Sequence, residues 1–170
     1  YFLTTSGNRL TAVEVKDILA VHNDIEFFLW KVNDPQDPNA PVSFSDQVER
    51  ITGYTAAELN EMQGRLYSIV HRADVTNVLR VLNEAKNNHA QQKVSLEYRI
   101  VAKDEEIIWV HEKLNIKRNA KGIPESISGI VTDTTKLKLR QFDLEQSETN
   151  LKKLNDSKDR FINILSHDLR

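Results

Sequence analysis

The sequence predicts an α+β domain, a largely antiparallel sheet with short helices beside it, followed by one long C-terminal helix. Three observations carry this prediction. Residues 94–116 alternate apolar and polar side chains with period two on both sides of a charged turn. A helix-period stripe precedes them between Asp74 and Asn87. From residue 136 onward, leucines recur every seven positions. Two strands, short helices, a longer helix and then a three-strand meander is an α+β order.

Residues 1–8 lack pattern and are expected to be a frayed lead-in. Thr11-Ala12-Val13-Glu14 has the spacing of a capping box and opens a short helix to about Ala20, with Leu10, Val13, Ile18 and Leu19 as its apolar residues. Glu26–Val32 is dense in large apolar side chains and reads as a buried strand. Asp34-Pro35-Gln36-Asp37-Pro38-Asn39 is a turn-rich loop, and Val42–Ser45 a second, short strand. A capping box at Thr55-Ala56-Ala57-Glu58 opens one of the short helices that follow. The longer helix, Asp74 to Asn87, presents Val75, Val78, Leu79 and Leu82 on one face. Val94, Leu96, Tyr98 and Ile100 share a strand face, and Ser95, Glu97 and Arg99 share the other. Lys103-Asp104-Glu105-Glu106 makes a turn; Ile108, Val110, Leu114 and Ile116 then share a face on which Glu112 intrudes. Asn119-Ala120-Lys121-Gly122 makes another turn, Ile127–Val131 is the last strand, and the tail helix begins near Lys136.

Short motifs recur in a family-like order: Ser45-Asp46 entering a helix, Gly53-Tyr54-Thr55-x-x-Glu58-Leu59, Ile69-Val70-His71-x-x-Asp74, Tyr98-Arg99, Trp109-Val110-His111-Glu112, Gly122, Gly129 and Asp133-Thr134-Thr135. Over residues 24–136 the chain resembles a PAS domain. That resemblance implies a five-stranded antiparallel sheet with flanking short helices and a sensory role. Two positions depart from the family pattern. Arg72 stands where Pro often follows the histidine, and the Lys103–Glu106 turn lacks the usual glycine.

The tail carries a coiled-coil seam of Leu137, Leu144, Leu151, Lys158 and Leu165, joined by Arg140, Ser147, Leu154, Phe161 and Asp168. Its polar interruptions make it a weak seam, able to slip or rotate. His167 lies two residues past Leu165, about 200° around a helix, and so points away from the seam. Ile162, Ile164 and Leu169 widen the apolar face nearby, as suits a four-helix bundle. Phe161, Leu165, Ser166, His167, Asp168, Leu169 and Arg170 together resemble the phosphoacceptor box of bacterial histidine protein kinases. The resemblance implies that His167 accepts phosphate from ATP and that Asp168 orients its ring or takes its proton. Neutral imidazole is a nucleophile near pH 7, which suits the chemistry.

The chain therefore divides into a lead-in over 1–23, a PAS domain over 24–135, a coiled-coil signalling linker over 136–157, and the start of a dimerisation and phosphoacceptor helix over 158–170. It starts at Tyr1 and reads as a piece of a longer protein, cytoplasmic in this part. The resemblance implies ATP and Mg on a kinase domain beyond Arg170, and since no glycine-rich phosphate loop occurs within these residues, they are not expected to bind ATP themselves. The expected partners are a second copy through the tail helices, that ATP-binding domain and a response regulator. Lys and Arg total 23 against 25 Asp and Glu, a net charge of −2, which gives no footprint for nucleic acid or an anionic membrane. No apolar run reaches the length of a membrane span. The absence of cysteine excludes disulfides, thiolate metal sites and chromophores bonded to cysteine.

Other candidate sites are weaker. His22, His71, His89 and His111 are scattered, with no pair at metal-ligand spacing. His71 and Asp74 are expected to cap the longer helix locally. His89, at that helix's end, is poorly placed to hold haem, while a non-covalent flavin or small metabolite stays open. Glu112 is expected to pair with an arginine or lie near the sheet edge, the alternative being a carboxylate that touches a ligand in a cavity. Trp30, Trp109 and Tyr98 are expected in the core. Two other functions compete with kinase input: a ligand-free binding and dimerisation module, and a haem or flavin redox sensor.

Overall fold

The computed structural model describes residues 26–63, 65–88 and 90–168, with side chains in the final helix as far as Ile164. The expected helix at Thr11–Ala20, His22 and His89 lie outside the described residues. The chain forms β1 (Phe27–Val32), β2 (Val42–Phe44), α1 (Gln47–Thr52), α2 (Ala56–Glu61), a 3-10 turn (Arg65–Ile69), α3 (Val75–Asn87), β3 (Lys93–Val101), β4 (Ile107–Arg118), β5 (Pro124–Asp133) and α4 (Thr135–Asp168). The five strands make one antiparallel sheet in the order β2-β1-β5-β4-β3.

Period-two alternation sends Phe28, Trp30 and Val32 of β1, Leu96, Tyr98 and Ile100 of β3, and Val110 and Leu114 of β4 to one face. They join Leu66 and Ile69 of the 3-10 turn and Val78, Leu82 and Ala85 of α3 in a single core. Each fully buried aliphatic or aromatic side chain here contributes roughly 1.5–3 kcal/mol. The α3 stripe differs from expectation at one place. Leu79 is exposed and Ala85 is buried instead, because Leu79 lies over a cavity rather than against the sheet.

Local chemistry sets the element ends. The Thr55 hydroxyl accepts from the Glu58 N–H at 3.2 Å, and the Glu58 carboxylate accepts from the Thr55 N–H at 2.9 Å, so the capping box forms as expected. Gly53 closes α1 at φ +74°, where its N–H reaches the Glu49 carbonyl. The C-terminus of α3 is held by the Arg118 guanidinium, which donates to the carbonyls of Ala85, Lys86 and Asn88. The turn that lacks glycine closes with Glu105 itself in the left-handed region, φ 71°.

Asp74 does not cap α3. Its side chain makes no capping bond. Both of its oxygens instead bind the Arg99 guanidinium, at 2.7 and 2.9 Å, and one also accepts the Arg99 backbone N–H. The bidentate arginine outcompetes the helix N–H groups. His71 keeps a local role, its Nδ1 accepting from the Ala73 N–H at 3.3 Å.

Helix α4 follows β5 almost at once and runs unbroken for 34 residues. The helix continues across the expected boundary between linker and phosphoacceptor segment at 157/158. Leu137, Leu144, Leu151, Leu154 and Phe161 are all more than half exposed, so the seam is uncovered in the single chain. None of the helices among the described residues is long and apolar enough to cross a membrane.

Candidate functional site

The site starts from the position of β4 in the sheet. β4 lies between β5 and β3, so its inward residues meet protein on every side. Glu112 takes one of these positions, opposite Leu96 on β3 and Val131 on β5, and is 0 % exposed. No arginine pairs with it, and it is buried on an interior strand rather than exposed at the sheet edge, which corrects the expectation drawn from sequence. Its partners are aromatic. The Trp30 Nε1–H donates to Oε1 at 2.7 Å, and the Tyr98 hydroxyl donates to Oε2 at 2.8 Å. The Tyr67 hydroxyl stands at 3.5 Å from Oε1, a long and weak contact.

Gly129 makes the Trp30 contact possible. The indole passes across β5 at the residue that pairs with it, and a Cβ on Gly129 would lie 2.5 Å from Trp30 Nε1. The ring then meets Tyr67 edge to face, with centroids 6.2 Å apart. Burial pushes the Glu112 carboxyl up to about 7, against the downward pull of hydrogen bonds from Tyr98, Trp30 and Tyr67. Burial, reinforced by the Glu112 charge, drives the Tyr67 and Tyr98 hydroxyls well above their ordinary value.

Trp30 and Tyr67 also wall a cavity of about 280 Å³ on the helix-covered side of the sheet. Val32, Leu66, Leu82 and Ile127 add apolar surface, Leu79 lies at the mouth, and Asp37, Arg65 and Lys86 supply charges. A volume of this size, mostly apolar with a few polar groups, suits a small organic molecule. A larger concavity, about 720 Å³, lies on the outer sheet face among Leu29, Lys31, Ser43, Lys113 and Ser128. It is open to solvent and holds no buried polar side chain, so the inner cavity is the better candidate.

On the outer face, β4 holds the root of α4. The Trp109 N–H donates to Thr135 Oγ1 at 2.9 Å, and the Thr134 N–H donates to the Trp109 carbonyl at 2.8 Å. Asp133 accepts the Thr135 N–H at 2.7 Å. The Trp109 ring lies between two cations, Arg99 at 5.3 Å and Lys138 at 5.6 Å from its centroid. Lys138 continues to Glu97 at 2.7 Å. Trp109 is thus only half-buried and serves this junction, whereas Trp30 and Tyr98 are core residues as expected.

His167 and Asp168 fall in the last turn of α4, and their side chains lie outside the described ones. His167 stands about 48 Å along the helix from Thr135. The structure therefore joins both residues to the sheet domain by one helix and brings neither near the cavity. No group of three or more potential metal ligands occurs among the described residues. Sequence reasoning weighed Glu112 as a cavity carboxylate and set that reading second. In the structure Glu112 is fully buried and does not itself line the cavity; its partners Trp30 and Tyr67 do.

Comparison with known proteins agrees with this architecture. The chain is 31 % identical over 111 residues to the methyl sulfide methyltransferase-associated sensor of Methanosarcina acetivorans, a match that covers 65 % of this chain and 11 % of that protein. The chain thus spans about a tenth of that relative. Among solved structures it is similar to a sensory box histidine kinase/response regulator from Burkholderia thailandensis E264, at 22 % identity and TM-score 0.61, over 81 % of this chain and 98 % of that one. It is also similar to the N-terminal domain of a diguanylate cyclase with PAS/PAC sensor from Marinobacter aquaeolei, at 17 % identity and TM-score 0.55, over 64 % and 95 % of the two chains. These two likenesses concern the fold. A family model described as the PAS fold matches residues 41–131, more than half of the sequence, and the chain belongs to that family.

Proposed function

We propose that the chain is the signal-input PAS module of a two-component sensor histidine kinase, which passes the state of its core along α4 to His167. The observation that carries this reading is the continuity of α4. The helix is anchored on Trp109 at one end and reaches the Phe161–Arg170 box at the other without a break. The sensory box histidine kinase among its structural neighbours has the same fold and supports the reading. The uncovered stripe of Leu137, Leu144, Leu151 and Leu154 supports a parallel dimer through α4, since a helix this long with an exposed apolar seam gains stability by burying it.

In this reading His167 attacks the γ-phosphorus of ATP held by a separate kinase domain. A nitrogen–phosphorus bond forms as the bond to the β-phosphate oxygen breaks, and Asp168 takes the ring proton. Phosphoryl transfer depends largely on positioning, so rotation or tilt of α4 is enough to gate it. The test is a protein extended to include its ATP-binding domain and supplied with labelled ATP. His167→Gln should abolish acid-labile phosphate, and Asp168→Asn should slow its appearance sharply without unfolding the helix. Wild-type phosphorylation in His167→Gln would end this reading.

A further inference from the structure

Two polar residues are buried among the described residues, Thr52 and Glu112. Thr52 is satisfied locally, donating to the Val48 carbonyl and accepting the Tyr54 N–H. Glu112 has no local role, and phosphotransfer at His167 makes no use of it. Its surroundings are neutral on every side. β1 presents Trp30, β3 presents Tyr98 and Leu96, β5 presents Val131, and the 3-10 turn presents Tyr67. No lysine, arginine or histidine among the described residues contributes to its field. A buried carboxylate without a cation is costly, and proton binding is the ordinary relief.

The two carboxyl oxygens are not equivalent. Oε1 faces the Trp30 N–H, which can only donate, so Oε1 must remain an acceptor. Oε2 faces the Tyr98 hydroxyl, which can donate or accept. We propose that Glu112 is a proton-binding site of the PAS core, taking its proton on Oε2 and turning Tyr98 from donor to acceptor. The Trp30 bond survives both states. The attraction that draws the Tyr67 hydroxyl toward the carboxylate does not, and Tyr67 is a wall of the cavity. Proton uptake therefore acts on the cavity wall, while the same strand, three residues earlier, holds α4 through Trp109. The proposal does not depend on phosphate acceptance by His167.

Infrared spectroscopy of the whole chain tests it. The protonated carboxyl C=O stretch is followed across pH in the wild type, Glu112→Gln and Tyr98→Phe. One such band should persist above the ordinary carboxylate range of about pH 4–5 and disappear as pH rises through neutrality. It should be absent in Glu112→Gln. Tyr98→Phe takes a donor from the carboxylate, so its midpoint should move up by about half a pH unit or more, roughly a threefold gain in proton affinity. A purely structural tyrosine would leave that midpoint in place. Should Glu112→Gln not fold, the Tyr98→Phe shift and the same upward shift in Tyr67→Phe decide the matter. A wild type with no acid band above pH 5, or a midpoint unmoved in Tyr98→Phe, overturns the proposal.

Discussion

Replacing Glu112 by glutamine should make the protein more stable at alkaline pH and change little at acid pH. Glutamine keeps an oxygen for the Trp30 N–H and offers an NH₂ to the Tyr98 oxygen, but it never carries charge. In the wild type the Glu112 carboxyl is raised from 4.5 to about 7 by burial. Between those two values the folded chain holds a proton that the unfolded chain has lost. The contribution of Glu112 to stability is thus fully present below 4.5 and is lost as pH rises through 7. A shift of this size corresponds to roughly 3 kcal/mol between the two limits. Glu112→Gln removes that loss, so near pH 8.5 it should exceed the wild type by up to about 3 kcal/mol relative to their difference at pH 4.5. Urea unfolding at a series of pH values, with the slope checked for constancy, gives the difference directly. The other carboxylates and histidines are shared by both proteins and cancel. A wild-type-minus-variant difference that stays flat from pH 4.5 to 8.5 would refute the reasoning, because it would mean that the carboxyl titrates alike in the folded and unfolded chains.

Gly129→Ala should cost about 1–3 kcal/mol and quench the Trp30 contact, since the new methyl would sit 2.5 Å from the indole nitrogen; thermal unfolding and the fluorescence of Trp30 in a Trp109→Phe background report both effects. Arg99→Met should destabilise by roughly 1–3 kcal/mol at neutral pH, as it strips a half-buried bidentate partner from Asp74. The pH dependence of that loss has the opposite sign to that of Glu112. The hydrogen bond from Arg99 holds Asp74 below its usual value of 3.8, so its contribution is present above that value and disappears as pH falls through the lowered one. Lys138→Glu faces Glu97 with like charge at an exposed site; global stability should change by less than about 1 kcal/mol. Hydrogen exchange in the first turn of α4 should nonetheless quicken, and the charge swap with Glu97→Lys should restore it. Arg118→Ala should cost about 2 kcal/mol in urea unfolding by baring the carbonyls of Ala85, Lys86 and Asn88.

What the sequence made legible follows from the range of the interactions. The Thr55–Glu58 capping box spans three residues and depends on nothing else, so its pattern was sufficient. The meander from Val94 to Val131 was readable because period-two alternation survives whatever packs against it. Glu112 was misjudged because its partners lie 82, 45 and 14 residues away, on three separate elements. Nothing near it in sequence distinguishes a clamped carboxylate from an edge glutamate. Asp74 failed in the same way. The local reading gave it a helix to cap, but a guanidinium 25 residues on offered a stronger bond. Leu79 belonged to the apolar stripe by spacing, yet only the folded shape reveals the cavity beneath it. The long C-terminal helix was legible as well, because its leucine repeat needs no partner to mark a helix.

The length of the unbroken helix gives the small grip at Trp109 a large mechanical advantage. One turn of α4, about 5.4 Å, is fastened to the sheet, and some 43 Å of rod project beyond the fastening as far as His167. A displacement of about half an ångström across that turn tilts the rod by about 5°, which moves its far end by about 4 Å. Under the proposed function, shifts in the core too slight to disturb the packing of a strand would arrive at His167 as a distance larger than a hydrogen bond. The exposed Lys138–Glu97 pair is the brace against which that lever works.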